Sequence, residues 1–313
     1  MKTLDEPLQV ARMYYHLNLK TEEIAEQLGL SRSRVSRLLS LAKEQGLVEF
    51  RIHDHRQQGL ELERHIEQQY EVPRVLVVPV LPDASVAART AKVTAFAAHY
   101  LNSIIQPGDI IGLAWGATIS ELATKLIPRP LPHMQVVQIN GSGNSGHGFT
   151  YAAAIITAFA ENYCARSSLL PIPAYFDHAE TKEAMFRERL ITRVRDEAAR
   201  ASIVLYSIGV PDAQSYIYSS GYLEQDNLRE LHQEGVVGDI ATMFFREDGT
   251  YRDIRINRRS SGPELASLRQ HRHSICIVAG DKKCAAIRAA LRGKFMKTLI
   301  VDSATARQLL GPE

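Results

Sequence analysis

Three arginines and three serines interleave in Ser31-Arg32-Ser33-Arg34-Val35-Ser36-Arg37. Guanidinium pairs with phosphate oxygens and, bidentately, with the major-groove edge of guanine, and short hydroxyls bond to either. At about 100° per residue on a helix, Ser33, Ser36, Arg37 and Ser40 share one side and Arg32 and Arg34 flank them. Val35, Leu38, Leu39 and Ala42 fall opposite, as a core face. From Gln27 to Lys43 there are four basic residues and no acid. Arginines in a first helical turn oppose the macrodipole, which favours acids there, so helix stability alone does not select this arrangement. Double-stranded DNA does. The expected DNA-contacting residues are Ser31, Arg32, Ser33, Arg34, Ser36, Arg37 and Ser40.

A second set of candidates lies in two glycine-rich turns that each follow a predicted strand. In Gly112-Leu113-Ala114-Trp115-Gly116-Ala117-Thr118, Gly116 permits close backbone approach and Thr118 adds a hydroxyl where a helix starts. Asn140-Gly141-Ser142-Gly143-Asn144-Ser145-Gly146-His147-Gly148 can form a nest of N–H groups for phosphate or sugar oxygens. Gly141, Gly143 and Gly146 satisfy GxGxxG, but a dinucleotide site needs an acid at the end of the next strand. That strand ends Leu169-Leu170-Pro171-Ile172-Pro173, with none. Two charges complete the set: Asp239 in Val237-Gly238-Asp239-Ile240, expected just before a strand, and Lys283, opening a helix where it could meet a phosphate. The eleven histidines have no metal-ligand spacing, and no GxSxG or HExxH occurs. No catalytic residue, metal or cofactor is expected. His271-Arg272-His273 reads as a solvated approach to a strand.

These residues need elements to hold them. Ile24, Ala25 and Leu28 form one face of a short helix, Gly29 supplies the turn, and Ser31 is a good N-cap for the next helix. That is the spacing of a helix-turn-helix. Val48, Phe50 and Ile52 then alternate as in the wing of a winged helix. His53 to Gly59 is polar and reads as a linker, followed by a helix carrying Leu62, Ile66 and Tyr70. A DNA-binding domain over 1–56 and an effector domain over 57–313 follow. In the latter, strands are predicted over 75–80, 110–114, 134–140, 168–172, 203–208, 242–246, 275–279 and 298–301. Helices are predicted over 85–105, 118–126, 151–164, 181–199, 283–292 and 303–310. This alternation predicts an α/β fold with a mainly parallel sheet covered on both faces.

Composition sets the outer bounds. In 313 residues, 37 basic against 35 acidic side chains leave a net charge of +2, which excludes a protein that coats nucleic acid indiscriminately. Residues 1–56 hold nine basic and eight acidic residues, so the positive charge is concentrated in one helix rather than in a domain. Cys164, Cys276 and Cys284 lie far apart with no CxxC pair, which argues for reduced thiols. The start, Met1 to Pro7, is acidic without an apolar stretch, and no apolar run approaches the roughly 20 residues of a membrane span. A cytoplasmic protein without membrane contact is expected.

Taken in order, these segments resemble the SorC family of sugar-responsive bacterial transcriptional regulators over nearly the whole length. The resemblance rests on Leu19-Lys20-Thr21-Glu22-Glu23-Ile24-Ala25, Ser31 to Leu39, Gly112 to Thr118, Val237-Gly238-Asp239-Ile240, Val278-Ala279-Gly280-Asp281-Lys282-Lys283 and Ala286 to Leu291. It implies an effector domain with the fold of sugar-phosphate isomerases and glucosamine-phosphate deaminase. It also implies a homo-oligomer, dimer or tetramer, bound to operator DNA. The implied effector is a small sugar, polyol or sugar phosphate, held by Gly116, Ala117 and Thr118 (with Gly112 and Trp115 of the same turn), by Gly141, Ser142, Gly143 and Asn144, and by Asp239 and Lys283. Some members hold an aldehyde sugar covalently through a lysine near the second loop, but no lysine occurs here between Lys125 and Lys182. A phosphate-binding arginine of another member also has no counterpart, so free and phosphorylated sugars both stay open. The alternative is a sugar-phosphate isomerase or deaminase with an appended DNA module, in which Asp239 acts as base and Lys283 as phosphate anchor.

Overall fold

The computed structural model describes residues 5–17, 19–48, 55–142, 151–212, 218 and 223–311. The chain separates into two compact units, Met1–Asp54 and His55–Glu313. In the first, α1 (Asp5–Tyr15), α2 (Thr21–Leu28) and α3 (Arg32–Glu44) pack on one another. Val10, Ala11, Ile24, Ala25, Val35, Leu38, Leu39 and Ala42 form their core. Gly29 turns the chain at φ 65°, where a Cβ is penalised, and Leu30 N–H closes on the Ala25 carbonyl at 2.9 Å. Ser31 Oγ accepts from Arg34 N–H at 3.2 Å, the expected cap. The expected wing lies mostly outside the described residues: Gly46 to Val48 form a turn and bend, and 49–52 are not described.

The second unit opens with α4 (His55–Tyr70), so the polar stretch at 55–59 is helical, not a linker. Its carboxylates explain the placement. Glu67 Oε1 accepts from Val75 N–H and Glu63 Oε1 from Val77 N–H, both at 2.8 Å. Those donors belong to β1 (Arg74–Val78), an edge strand whose free amides would otherwise template aggregation.

Seven strands form one parallel sheet: β1, then β2 (Ile110–Leu113), β3 (Gln135–Gln138), β4 (Arg166–Ser168), β5 (Ile203–Tyr206), β9 (His273–Val278) and β10 (Thr298–Asp302). Their spatial order is β1-β10-β9-β5-β2-β3-β4. Neighbouring residues point to opposite faces: Ile203 and Leu205 enter one core, Val204 and Tyr206 the other. The first core is closed by α5 (Val86–Ile104), α6 (Ala117–Ala123) and α7 (Tyr151–Tyr163). The second face is covered by α4, by α9 (Arg189–Ala199), which follows α8 (Ala179–Met185), and beyond α10 (Gln225–Gln233) and α11 (Leu265–Leu268) by α12 (Cys284–Arg292) and α13 (Ser303–Leu309).

Several elements differ from the sequence expectation. The strand expected over 168–172 is β4, ending at Ser168, because Pro171 and Pro173 have no N–H for a ladder. One helix over 181–199 is two, α8 and α9. The strand over 203–208 divides into β5 and β6 (Ile208–Gly209), and β6 joins β7 (Val236–Ile240) and β8 (Met243–Arg246) in a separate antiparallel sheet. Asp239 therefore lies inside a strand, not before one. Gly238, a poor strand former, is required there because a Cβ would sit 2.7 Å from Ala286 Cβ and 2.8 Å from Phe245 Cζ.

Arg272 is also no mere solvated charge. It donates to both oxygens of the buried Asp109 at 2.8 and 2.7 Å, and Ser202 Oγ and Gln106 N–H complete that carboxylate. Arg272→Ala is expected to destabilise the unit by about 1–2 kcal/mol, since the arginine is half-exposed and solvent partly replaces it. Chemical denaturation checks this, and an unchanged midpoint would contradict it.

Candidate functional site

Chain direction through the parallel sheet reverses between β2 and β5. From β2 the chain proceeds outward to β3 and β4; from β5 it proceeds the other way to β9 and β10. Loops leaving the carboxyl ends of two such neighbours diverge, and the crevice between them is where open α/β sheets bind ligands. A cavity of about 650 Å³ lies there. Its walls come from the segments after β2 (Ala114 to Thr118), β3 (Asn140), β5 (Ser207 to Val210) and β9 (Ala279 to Lys283), with Asp239 of β7.

Among the expected effector residues, Trp115, Gly116, Ala117, Thr118, Asp239 and Lys283 meet on this wall. Gly112, Gly141 and Ser142 do not. Gly112 sits within β2, where a Cβ would lie 2.8 Å from Ile139 Cγ2 and 3.0 Å from Val204 Cγ1, so packing demands it. Gly141 is pressed on the chain at Ile172 and Pro173, its N–H donates to Ser261 Oγ at 2.9 Å, and its carbonyl accepts the Trp115 indole N–H at 2.7 Å. Trp115 thus ties the first loop to the second. Gly143 and Asn144 lie outside the described residues.

Asp239 is 6% exposed. A Cβ on Gly209 would fall 2.0 Å from its Oδ1, so only glycine fits opposite it. Burial pushes the Asp239 carboxyl up to about 6, partly offset by the Thr242 backbone N–H and by the Lys283 charge. Burial likewise lowers Lys283, against the pull of Cys276 and Asp239. The Cys276 thiol is pushed up to about 12 by burial, which leaves it protonated and inert.

The loop carrying Lys283 is fastened from behind. Asp302 caps α13 by accepting from Ala304 and Thr305 N–H and also accepts from Gly280 N–H at 3.2 Å. Arg89, buried on α5, reaches Asp281 at 2.7 Å and Asp302 at 3.8 Å. Gly280 itself has φ 109°, a conformation that leaves its neighbours facing the cavity.

Sequence reasoning missed Asn140, Ser207 and Asp281 as wall residues. Ser207 Oγ donates to Thr118 Oγ1 at 3.3 Å. Asn140 is 1% exposed, and among the described residues neither Oδ1 nor Nδ2 has a partner. Leaving such groups unpaired costs roughly 1–3 kcal/mol each. The available signal was its position: an amide at the carboxyl end of a parallel strand. A second groove, along α9 between Arg187, Arg189, Arg193 and Arg200, shares no residue with the cavity. Among the described residues no group of three or more His, Cys, Asp and Glu could hold a metal. Nor is any helix there long and apolar enough to cross a membrane.

In the first unit, α3 presents Ser31, Arg32, Ser33, Arg34, Ser36, Arg37 and Ser40 to solvent. Acids distant in sequence reach this face. Arg32 pairs with Glu22 at 2.7 Å and Arg34 with Glu6 at 3.2 Å. All four side chains are more than half exposed, so these pairs are weak and exchangeable. Ser31 is occupied as the helix cap.

A crevice of this kind, lined by a buried acid, a half-buried lysine and hydroxyls, is where open α/β sheets take small polar ligands. The sugar-binding domain family matches residues 54–311. The chain is 33% identical over 303 residues to the deoxyribonucleoside regulator of Bacillus subtilis, covering 97% of this chain and 96% of the relative. It is 27% identical to the sorbitol operon regulator of Klebsiella pneumoniae, covering 97% and 96%. Among solved structures, a domain of a possible sugar-binding transcriptional regulator from Arthrobacter aurescens TC1 is 42% identical with a TM-score of 0.75, covering 81% of this chain and 98% of that one. Full-length SorC from Klebsiella pneumoniae is 25% identical with a TM-score of 0.72, covering 99% and 100%. The chain belongs to this family, the SorC-type sugar-binding transcriptional regulators.

The raised Asp239 carboxyl has a pH signature. Its folded value of about 6 exceeds the ordinary 3.8, so the folded state prefers the proton. Relative to a neutral side chain, stability is intact below about pH 4, falls between pH 4 and 6, and stays lowered above. From these values the loss is at most about 3 kcal/mol. Asp239→Asn is expected to melt higher than the parent at pH 7.5 and level with it near pH 4. A variant that melts lower at pH 7.5 would contradict the assignment.

Proposed function

We propose that the cavity binds a small sugar, polyol or sugar phosphate, and that its occupancy controls operator binding through α2 and α3 acting as a helix-turn-helix. The observation that carries this is Asp239 of β7 and Lys283 of the turn after β9 converging on one crevice. A buried carboxylate accepts from sugar hydroxyls, the ammonium faces a hydroxyl or a phosphate, and Trp115 offers an apolar face beside them. The effector domain is read as the sugar-phosphate isomerase and glucosamine-phosphate deaminase type, turned to binding. Relatives named as regulators support regulation without turnover.

Arg37 is the leading DNA contact. Among the described residues it makes no ion pair or hydrogen bond, whereas Arg32 and Arg34 must first release Glu22 and Glu6. The protein acts as a homo-oligomer, dimer or tetramer, whose arrangements bind the effector with different affinity. Without that difference the ligand shifts nothing.

Thermal-shift screening of sugars, polyols and their phosphates, followed by operator binding with each hit, tests the reading. A hit that alters operator affinity supports it, and turnover of a sugar phosphate at enzymatic rates would replace it with catalysis. Arg37→Ala is expected to weaken operator binding by about 1–3 kcal/mol at fixed salt. Equal affinity would remove Arg37 from the interface.

A further inference from the structure

The arginines of α9 belong to a unit whose acids and bases nearly balance, yet they gather in one place. Arg187, Arg189, Arg193 and Arg200 line a groove of about 850 Å³ and are exposed. At about 100° per residue, Arg189, Arg193 and Arg200 fall within about 40° of one another along roughly 16 Å of helix. Among the described residues, none of the four guanidinium groups has an ion-pair or hydrogen-bond partner. Elsewhere in the unit arginines are spent on the fold, Arg89 on Asp281, Arg246 on Asp253 and Arg272 on Asp109. Of the acids on α9, Asp196 shares the groove, while Glu197 accepts from Ser168 Oγ at 2.8 Å. Arg195 lies over the Phe186 ring at 3.9 Å and does not line the groove.

Helix stability does not select this arrangement. Like charges at i and i+4, as in Arg189 and Arg193, repel. Arginine in a first turn opposes the macrodipole, and Glu188 at the N-cap makes no side-chain cap. What holds α9 is its other face, where Ile191 and Val194 are buried with Val137 and Leu170. An anionic partner offsets the repulsion, and the chemistry of the groove decides which kind. A protein partner needs an apolar core in its interface, and the groove offers only Ala199. A single phosphate engages one or two guanidinium groups and leaves the others facing one another. A row of phosphates meets them all, each by a planar fork of donors. We propose that this groove binds the phosphate backbone of double-stranded DNA, independent of sequence, as a second contact besides α3. The proposal rests on the DNA-binding reading above and adds a surface outside the helix-turn-helix.

The full-length protein is titrated with a random-sequence duplex of about 40 base pairs, between about 50 and 200 mM salt. Arg189→Gln combined with Arg193→Gln is expected to lower the slope of log affinity against log salt by about 2. Near 0.1 M salt the same variant is expected to bind at least about tenfold more weakly. Lysine at both positions keeps the charge and is expected to keep most of the affinity. Lys125→Gln combined with Arg307→Gln removes the same charge from exposed positions outside the groove. That control is expected to change affinity less than about threefold. The parent's slope and affinity in the α9 variant would overturn the proposal, as would an equal loss in the control. So would an altered oligomeric state of the α9 variant in sedimentation, which would assign the groove to a second copy of the chain. Arg37→Ala in the same titration separates the two readings. If it weakens binding and the α9 variant does not, the helix-turn-helix stands and the groove fails; if the parent binds no duplex even at low salt, both fail.

Discussion

The structure depends on one constraint: a parallel sheet whose chain direction reverses between β2 and β5 has a crevice at the carboxyl ends of those strands. Asp239, Lys283, Thr118 and Ser207 gather around that opening. The segments after β2, β3, β5 and β9 leave the sheet as turns, and the small antiparallel sheet closes one side by presenting Asp239. Gly238 lacks room for a Cβ beside Ala286 of α12 and Phe245 of β8, and Gly209 leaves the space that the Asp239 carboxylate fills.

The same crevice carries the unit's unfavourable terms. Asp239 is held at a pKa near 6 by burial, Lys283 is depressed by burial, and Asn140 has an unpaired amide. None of these helps folding. They are sustained by paired polar groups behind them, Arg89 with Asp281 and Asp302 and Asp302 with the α13 amides, while Arg272 and Asp109 pair at the amino ends of the strands. Stability and ligand recognition are separated in space, with paired charges at the back of the loops and unpaired groups at the front.

In the first unit the trade is milder. Val35, Leu38, Leu39 and Ala42 hold α3 against α1 and α2 while its arginines stay at the surface. Glu6 and Glu22 neutralise Arg34 and Arg32 in exposed pairs worth at most about 1 kcal/mol each. Such partners are cheaply displaced, so the pairs lower the cost of exposing like charges and leave the arginines exchangeable.

Local pattern by itself determined α2 and α3, the Gly29 turn, the Ser31 cap and the mainly parallel sheet covered on both faces, because periodicity and capping depend only on neighbours in sequence. It also singled out Trp115 to Thr118 and Lys283, which lie at the ends of predictable elements and line the cavity, and Asp239, which lines it from inside an unpredicted strand. It did not reveal β7, since Gly238 and Asp239 are poor strand formers and only contact with β8 and α12 makes that segment extended. Nor did it separate Gly112 and Gly141, which fill tight packing, from Gly116, which faces the cavity: a glycine looks the same in either role until its neighbours are placed. Likewise Arg32 appeared free of acids until α2 folded beside it, and Asn140 appeared to be one more loop residue. Only the tertiary structure decided that its amide is buried and, among the described residues, without a partner, because hydrogen-bond satisfaction is a property of the surroundings and not of the residue.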